Sequence, residues 1–416
     1  MIGKKGEEKM IKHVVAFDVS MGKSTMVIYN RYRQCEFEGE ILHNRPSFEQ
    51  LHKTLEQLTK QDGQTPEIVF EATGVYSKGL EKFLQDTHYT YCCLNPIQAN
   101  EETKSMRRQK TDKADAHKLA QTHFRNERVP TYVEDDYYRQ MRAWSRYYDE
   151  LDTEINHLHN RMHAILQLSF PELETLFSPR SALFLNVVQL YPHPDEVLAH
   201  SKTVIRNRLK QNTRKNLSLK RAEEKGQSLL EAAKDSYPAI SNQDVRCDQV
   251  RDYARRIAEL KEKKEQLIKQ MVVLSEGKVE YQVLMSFPGI GETTAVRIIG
   301  ELGDIRRFKT HKQLNAYVGI DVRVYQSGKY EMKDIINRRG NRHLRKILFF
   351  MVKTMITLRQ KTKNHFVEYY DKLKTQPQRK PHKVACVACM NKFLKVAFHL
   401  ITHGITYDYE AATNYS

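Results

Sequence analysis

Apolar and polar residues fall into short, regular runs over the first quarter of the chain. Residues 13–19 and 25–30 run apolar on either side of Met21-Gly22-Lys23-Ser24, and 35–42 follows Tyr32-Arg33. These runs predict three strands joined as an antiparallel meander. Phe48, Leu51, Leu55 and Leu58 then recur at helical spacing. A strand over 67–70, a helix over 75–85 and a strand over 89–94 follow. Ala116, Leu119 and Ala120 mark one face of a further helix.

The pattern changes around Arg128-Val129-Pro130-Thr131. Leu151, Ile155, Leu158, Met162, Ile165 and Leu166 form one stripe of a long helix over 137–168, and 245–274 returns to the same periodicity. Between them lie Pro171, Pro179, Pro192 and Pro194 and a basic stretch over 202–225. An antiparallel coiled-coil hairpin with an insertion at its tip is expected. From 280 onward, 284–295 reads as helix, glycine turn, helix, and 341–374 and 382–403 read as two further helices. The fold class expected is α/β plus all-α. A ribonuclease H-like domain over 11–128 is followed by a helical middle over 129–278 and a mainly helical C-terminal domain over 279–416. Three strands, a helix, then alternating strand and helix is the order of ribonuclease H-like folds, which gather their acids at strand ends.

Charge adds a partner to this picture. The 416 residues carry 68 Lys and Arg against 51 Asp and Glu, a formal net charge of +17. That excess points to a polyanion, and nucleic acid is the commonest one. No apolar stretch is expected to reach the ~18 residues of a membrane-spanning helix. The first ten residues lack the apolar core of a signal peptide, so a cytoplasmic, nucleoid-associated protein is expected. Six cysteines in so long a chain make no disulfide framework, and Cys386 and Cys389 sit among apolar residues as core.

Four acids stand out. Asp18 closes the apolar run 14–17, and Glu71 closes 68–70. Asp112 and Asp115 lie three apart at the start of a helix that Thr111 is placed to cap, which puts both on one face. Carboxylates converging without a counter-charge repel one another, so the set implies a divalent cation. Oxygen ligands alone favour Mg²⁺ or Mn²⁺. Arg107, Arg108, Lys110 and Lys113 around the pair are expected on phosphates. Further along, the turn holding Gly289 and Gly291 reads as a helix-hairpin-helix that meets DNA backbone. Ser327 lies beside Gly328 and Lys329, ahead of Arg338, Arg339, Arg342 and Arg345. A hydroxyl among cations fits attack on a phosphodiester, although Ser-Gly is also an ordinary turn dipeptide.

Taken together, these motifs resemble the IS110-family transposases, the bridge-RNA-guided serine recombinases of bacterial insertion sequences. The resemblance rests on Ala16-Phe17-Asp18-Val19-Ser20, Phe70-Glu71-Ala72-Thr73-Gly74, Lys110 to Ala116, Pro288 to Gly291, Ala316 to Gly319, Gln326-Ser327-Gly328 and Gly340 to Arg345. It implies that Asp18, Glu71, Asp112 and Asp115 are the acidic tetrad of a RuvC-like domain and that Ser327 is the nucleophile. It also implies a guide RNA as partner beside donor and target DNA, and a homo-oligomer, dimer to tetramer. Ile320-Asp321-Val322-Arg323 departs from the Pro-Arg common at that place in the family. Two rivals remain: a Holliday-junction resolvase-like nuclease using the acids alone, and a nucleic-acid-binding protein whose acids are structural.

Overall fold

The computed structural model describes residues 13–103, 112–211, 217–323, 326–327, 330–331, 335–375, 377 and 379–413. The chain divides into two compact units between Val133 and Glu134.

The first unit contains β1 (His13–Ser20), β2 (Lys23–Asn30), β3 (Cys35–Leu42), α1 (Arg45–Asp62), β4 (Glu67–Glu71), α2 (Lys78–Asp86), β5 (Tyr91–Leu94), α3 (Pro96–Thr103) and α4 (Asp112–His123). Its sheet has the order β3-β2-β1-β4-β5. β1 to β3 pair antiparallel, while β4 joins β1 and β5 in parallel. The expected ribonuclease H-like, RuvC-like order is therefore present. Strand alternation decides what each face carries. Val15, Phe17, Ile68 and Phe70 pack on Leu51, Leu55 and Leu80 of α1 and α2, while Val14, Ala16 and Val69 pack on Ala116, Leu119 and Ala120 of α4. Helix α3 was not expected from periodicity. Its signal is local: Asn95 Oδ1 accepts from the Ile97 amide at 3.0 Å, with Pro96 at the first helical position.

The second unit begins with α5 (Asp136–Ser169). After α6 (Leu173–Leu176), α7 (Ala182–Leu190), α8 (Pro194–Leu198), α9 (Lys202–Gln211) and α10 (Leu219–Asp235), the chain returns along α5 as α11 (Val245–Ser275). Tyr137 meets Ser275 and Asp152 meets Lys264, so the two long helices run antiparallel. The remaining elements are α12 (Val279–Ser286), α13 (Glu292–Leu302), α14 (His311–Val318), β6 (Val322–Arg323), β7 (Gln326–Ser327), β8 (Tyr330–Glu331), β9 (Ile335–Ile336), α15 (Arg342–Thr357), α16 (His365–Thr375), α17 (His382–His403) and α18 (Tyr409–Thr413). The first turns of α5 join the C-terminal core through Tyr138 and Met141. Its second half, from Ile155 to Leu166, joins a separate core with α7, α9, α10 and α11. The basic insertion is folded into that core through Ile205 and Leu209.

Two expectations change here. The helix expected over 341–374 is two helices, because Asn364 caps a new start: its Oδ1 accepts from the Phe366 amide at 2.9 Å and its Nδ2 donates to Pro288 O at 3.1 Å. An apolar stretch of membrane-spanning length does exist. α17 has 22 residues and a mean hydropathy of 1.6 over its most apolar window. The sequence reading missed it because scattered Lys and His interrupt the run. Ala385, Cys389, Met390, Phe393 and Leu394 of α17 are buried in the C-terminal core. Burial there accounts for its composition, and it holds Cys386 and Cys389 as free, buried thiols.

Candidate functional site

The register of β1 and β4 brings the first two acids together. Phe17 stands opposite Phe70, so Asp18 and Glu71 follow as the next neighbours on adjoining parallel strands. Both share the face that carries Ala16 and Val69, the face covered by α4. Asp115 lies one residue before Ala116, whose side chain is buried against that face. Burial pushes the Glu71 carboxyl up from its ordinary value, and the negative charge of Asp115 pushes it further. Three of the four predicted acids are thus gathered at one end of the sheet. Asp112 opens α4 one turn before Asp115, and only its backbone is described.

The surroundings hold α4 in place. Lys118 Nζ donates to Asp115 Oδ1 at 2.7 Å, a local counter-charge the sequence reading did not assign. His117 bridges Tyr29 on β2, at 2.7 Å, and Glu38 on β3, at 2.8 Å. Lys113, expected on phosphate, lies 2.7 Å from Glu38 Oε1 and is otherwise exposed. Carboxylate oxygens from two strands and a helix suit a hard divalent cation, whose charge would relieve the strain on Glu71. Among the described residues, no three His, Cys, Asp or Glu side chains stand within common ligating reach. Arg107, Arg108, Lys110 and Thr111 lie outside the described residues.

In the second unit Ser327 ends β7, directly opposite Tyr330 of β8. Its backbone alone is described, and Lys329 lies outside the described residues. The segment bearing it is zipped at its base. Val322 pairs with Ile336, the Asn337 amide donates to Asp321 O at 2.9 Å, the Arg338 amide to Gly319 O at 3.0 Å, and the Asn341 amide to Tyr317 O at 2.6 Å. Arg338 is a non-glycine residue with positive φ, 61°, and Arg345 Nη2 donates to its carbonyl oxygen at 3.4 Å. Arg345 Nη1 donates to Val318 O at 2.6 Å, so its guanidinium is spent on backbone rather than presented to a ligand. Arg338, Arg339 and Arg342 are exposed. Arg339 and Arg342 line a cavity of about 570 Å³ with Arg146, Tyr317, Gly340, Asn341 and His343.

The glycine turn follows α12 as expected. Gly289 has φ 88° and a Cβ there would lie 3.1 Å from Met355 Cγ, so backbone conformation and packing both call for glycine. Gly291 faces open space at the start of α13.

Two family models bracket these features. A DEDD transposase model of the IS110 type matches residues 15–171, and the model for the transposase IS116/IS110/IS902 family matches 281–370. The chain belongs to the IS110 family of transposases. A further model, described as snoRNA binding domain, fibrillarin, matches 147–311 of this IS110-family chain. Among similar proteins, the transposase of insertion sequence element IS1111A from Coxiella burnetii is 30% identical over 33% of the chain and 37% of its own length. A probable family 20 transposase of Pseudomonas aeruginosa is 25% identical over 38% and 44%. The chain thus spans less than half the length of both. A pilin gene-inverting protein of Moraxella bovis is 22% identical over 96% of the chain and 98% of its own. Among solved structures, a T. thermophilus RuvC bound to a Holliday junction matches 27% of the chain at 9% identity with a TM-score of 0.21. The fold assignment above rests on strand order.

Proposed function

We infer that this IS110-family chain is a recombinase that cuts and rejoins DNA through a covalent serine linkage. The observation that supports it most is the convergence of Asp18, Glu71 and Asp115 on the α4 face of the first sheet. Relatives named for transposition and for gene inversion agree with an activity on DNA.

In this reading Ser327 Oγ attacks a DNA phosphorus. A serine–phosphate bond forms as one bridging P–O bond breaks, and the departing sugar oxygen takes up a proton. The number of phosphoester bonds is unchanged, so the reverse attack rejoins strands without ATP. Serine is a weak nucleophile at neutral pH, and its proton must pass to a base as the bond forms. Asp18, Glu71, Asp112 and Asp115 would hold Mg²⁺ or Mn²⁺, which when bound withdraws charge from phosphate oxygens. Lys329 and the Arg338, Arg339 and Arg342 cluster would attract the backbone, and the turn at Gly291 would offer it amides.

The resemblance further assigns a bridge RNA that selects sites by base pairing and a dimer to tetramer as the working form. The match of 147–311 to a snoRNA-binding model supports an RNA role for the helical middle.

Denaturing gels of full-length protein with end-labelled DNA, guide RNA and Mg²⁺ test the serine assignment. A protein-linked band is expected for wild type and none for Ser327→Ala. Cleavage by Ser327→Ala without that band would instead favour a nuclease that uses the acids and water.

A further inference from the structure

Helix α5 brings a residue that no motif marks to the loop ahead of α15. Arg146 lies across the cavity from the 339–343 loop, and its Nε stands 3.5 Å from Oε1 of Glu301, a carboxylate with no exposed surface. Glu301 Oε2 also accepts from Asn341 Nδ2 at 2.8 Å. The fully buried acid therefore touches both walls of the cavity, through a hydrogen bond to the cap of α15 and a longer ion pair to half-exposed Arg146 of α5.

Behind that wall, Asp149 gathers Arg297 at 2.7 Å, His343 Nδ1 at 2.9 Å and Lys346 at 3.4 Å. Burial works to raise the Asp149 carboxyl, but the His343 hydrogen bond and the charges of Arg297 and Lys346 hold it below its ordinary range. It stays ionised and consumes local cation charge. Arg297 and Lys346 are paired with Asp149 and lie outside the cavity lining, while Arg146 pairs with Glu301 at its edge. Neither carboxylate lines the cavity, whereas Arg146, Arg339 and Arg342 do. Three guanidinium groups around one open cavity match the fork geometry that binds phosphate.

Position along the chain gives the cavity its role. Tyr317 and 339–343 form the zipped base from which the Ser327 segment rises. We propose that the cavity lined by Arg146, Arg339 and Arg342 seats one DNA phosphodiester and thereby positions the strand for the Ser327 segment. The proposal deepens the recombinase reading and rests on it for the identity of the strand. Arg146 is the new contributor, and His343, held by Asp149 and accepting from Arg342 Nε at 3.4 Å, braces the wall. Arg146 is a binding and positioning residue whose placement ties DNA engagement to the long helix pair.

The test uses full-length protein carrying Ser327→Ala, so that binding is measured without cleavage. Fluorescence anisotropy with a labelled 30-base-pair DNA duplex gives the slope of log affinity against log salt. Each phosphate neutralised contributes about 0.9 to that slope. Arg146→Gln and Arg342→Gln should each lower it by up to about one unit, and the double variant by no more than about one, because both meet the same phosphate. Arg146→Lys should keep most of the slope. Exposed Arg342→Gln carries the test if Arg146→Gln melts early. An unchanged slope, a loss that adds to about two units in the double variant, or a loss seen only with an RNA duplex of the same sequence would overturn the proposal. None of these outcomes depends on whether the serine adduct forms, which the gel assay decides separately.

Discussion

Adding one methyl group at Gly340 should collapse the base of the serine segment. A Cβ there would lie 2.3 Å from Tyr317 O, 2.4 Å from the Gly319 amide nitrogen and 2.6 Å from Val318 C. All three are backbone atoms, so no side chain can swing aside. In the other direction, a Cβ on Gly319, which sits at φ +76°, would meet the Gly340 amide at 2.6 Å. Two opposing effects must be weighed for Gly340→Ala. Restricting the unfolded chain gains about 0.4–1 kcal/mol. Overpacking costs roughly 1–3 kcal/mol where neighbours can adjust, and a clash with backbone belongs at or above the top of that range. The net expectation is a loss of about 2–3 kcal/mol, which for a unit of this size lowers Tm by roughly 5–10 °C. DNA affinity should fall as well, because Asn341 and Arg339 flank the displaced residue. Gly226→Ala is the matched control. Its Cβ would meet Ile205 Cγ2 at 3.5 Å, an ordinary contact, inside α10, where alanine gains up to about 1 kcal/mol. Differential scanning fluorimetry of the two variants should move Tm in opposite directions. A Gly340→Ala protein melting within about 2 °C of wild type, with DNA binding intact, would refute the packing argument.

Two further outcomes follow from the acid cluster and the α16 cap. Because the folded-state pKa of Glu71 is raised above 4.5, the folded chain holds the proton longer than the unfolded chain, and stability falls as pH rises through that window. Glu71→Gln should therefore melt higher than wild type at pH 7.5 without divalent ions and show no such gain at pH 4. Mg²⁺ should raise the wild-type Tm more than the variant's, and a pH-independent difference would count against the carboxylate pairing. Asn364→Ala removes both the cap on Phe366 and the donor to Pro288 O from a residue 3% exposed. A loss of roughly 1–3 kcal/mol by urea titration is expected, and less than about 0.5 would show that the cap is dispensable.

Strand alternation made the acid cluster legible. The parity that buries Ala16 and Val69 against Ala116 also puts Asp18 and Glu71 on the same face, and the helical spacing of Ala116, Leu119 and Ala120 directs α4 there. Only a parallel pairing of β1 with β4 was needed to join them, and the element order supplies it. The helical middle was half legible. Stripes over 137–168 and 245–274 mark α5 and α11 almost to the residue, while α6 to α9 between them have ten residues or fewer and carry too few turns for periodicity to separate. The break at Asn364 was illegible because an asparagine mid-pattern caps a helix only when its side chain finds a backbone amide, a tertiary outcome.

The cationic cavity shows what a sequence reading of charge leaves out. Of the arginines expected on nucleic acid, Arg345 instead holds Val318 O, whereas Arg146 stands in the cavity although nothing about its place on an amphipathic helix sets it apart. Both facts come from the same source. A buried carboxylate, Glu301, with no exposed surface must find partners, and among the described residues it meets Asn341 by a hydrogen bond and Arg146 at 3.5 Å, with the charge of Arg142 nearby. The partner side chains are separated from Glu301 by 155 and 40 residues of chain, so local pattern gives no hint of the meeting. Leaving an uncompensated charge in the interior costs several kcal/mol, more than a surface contact contributes. The acid therefore draws Arg146 to the cavity, and the cations beside it are left to meet an anion from outside.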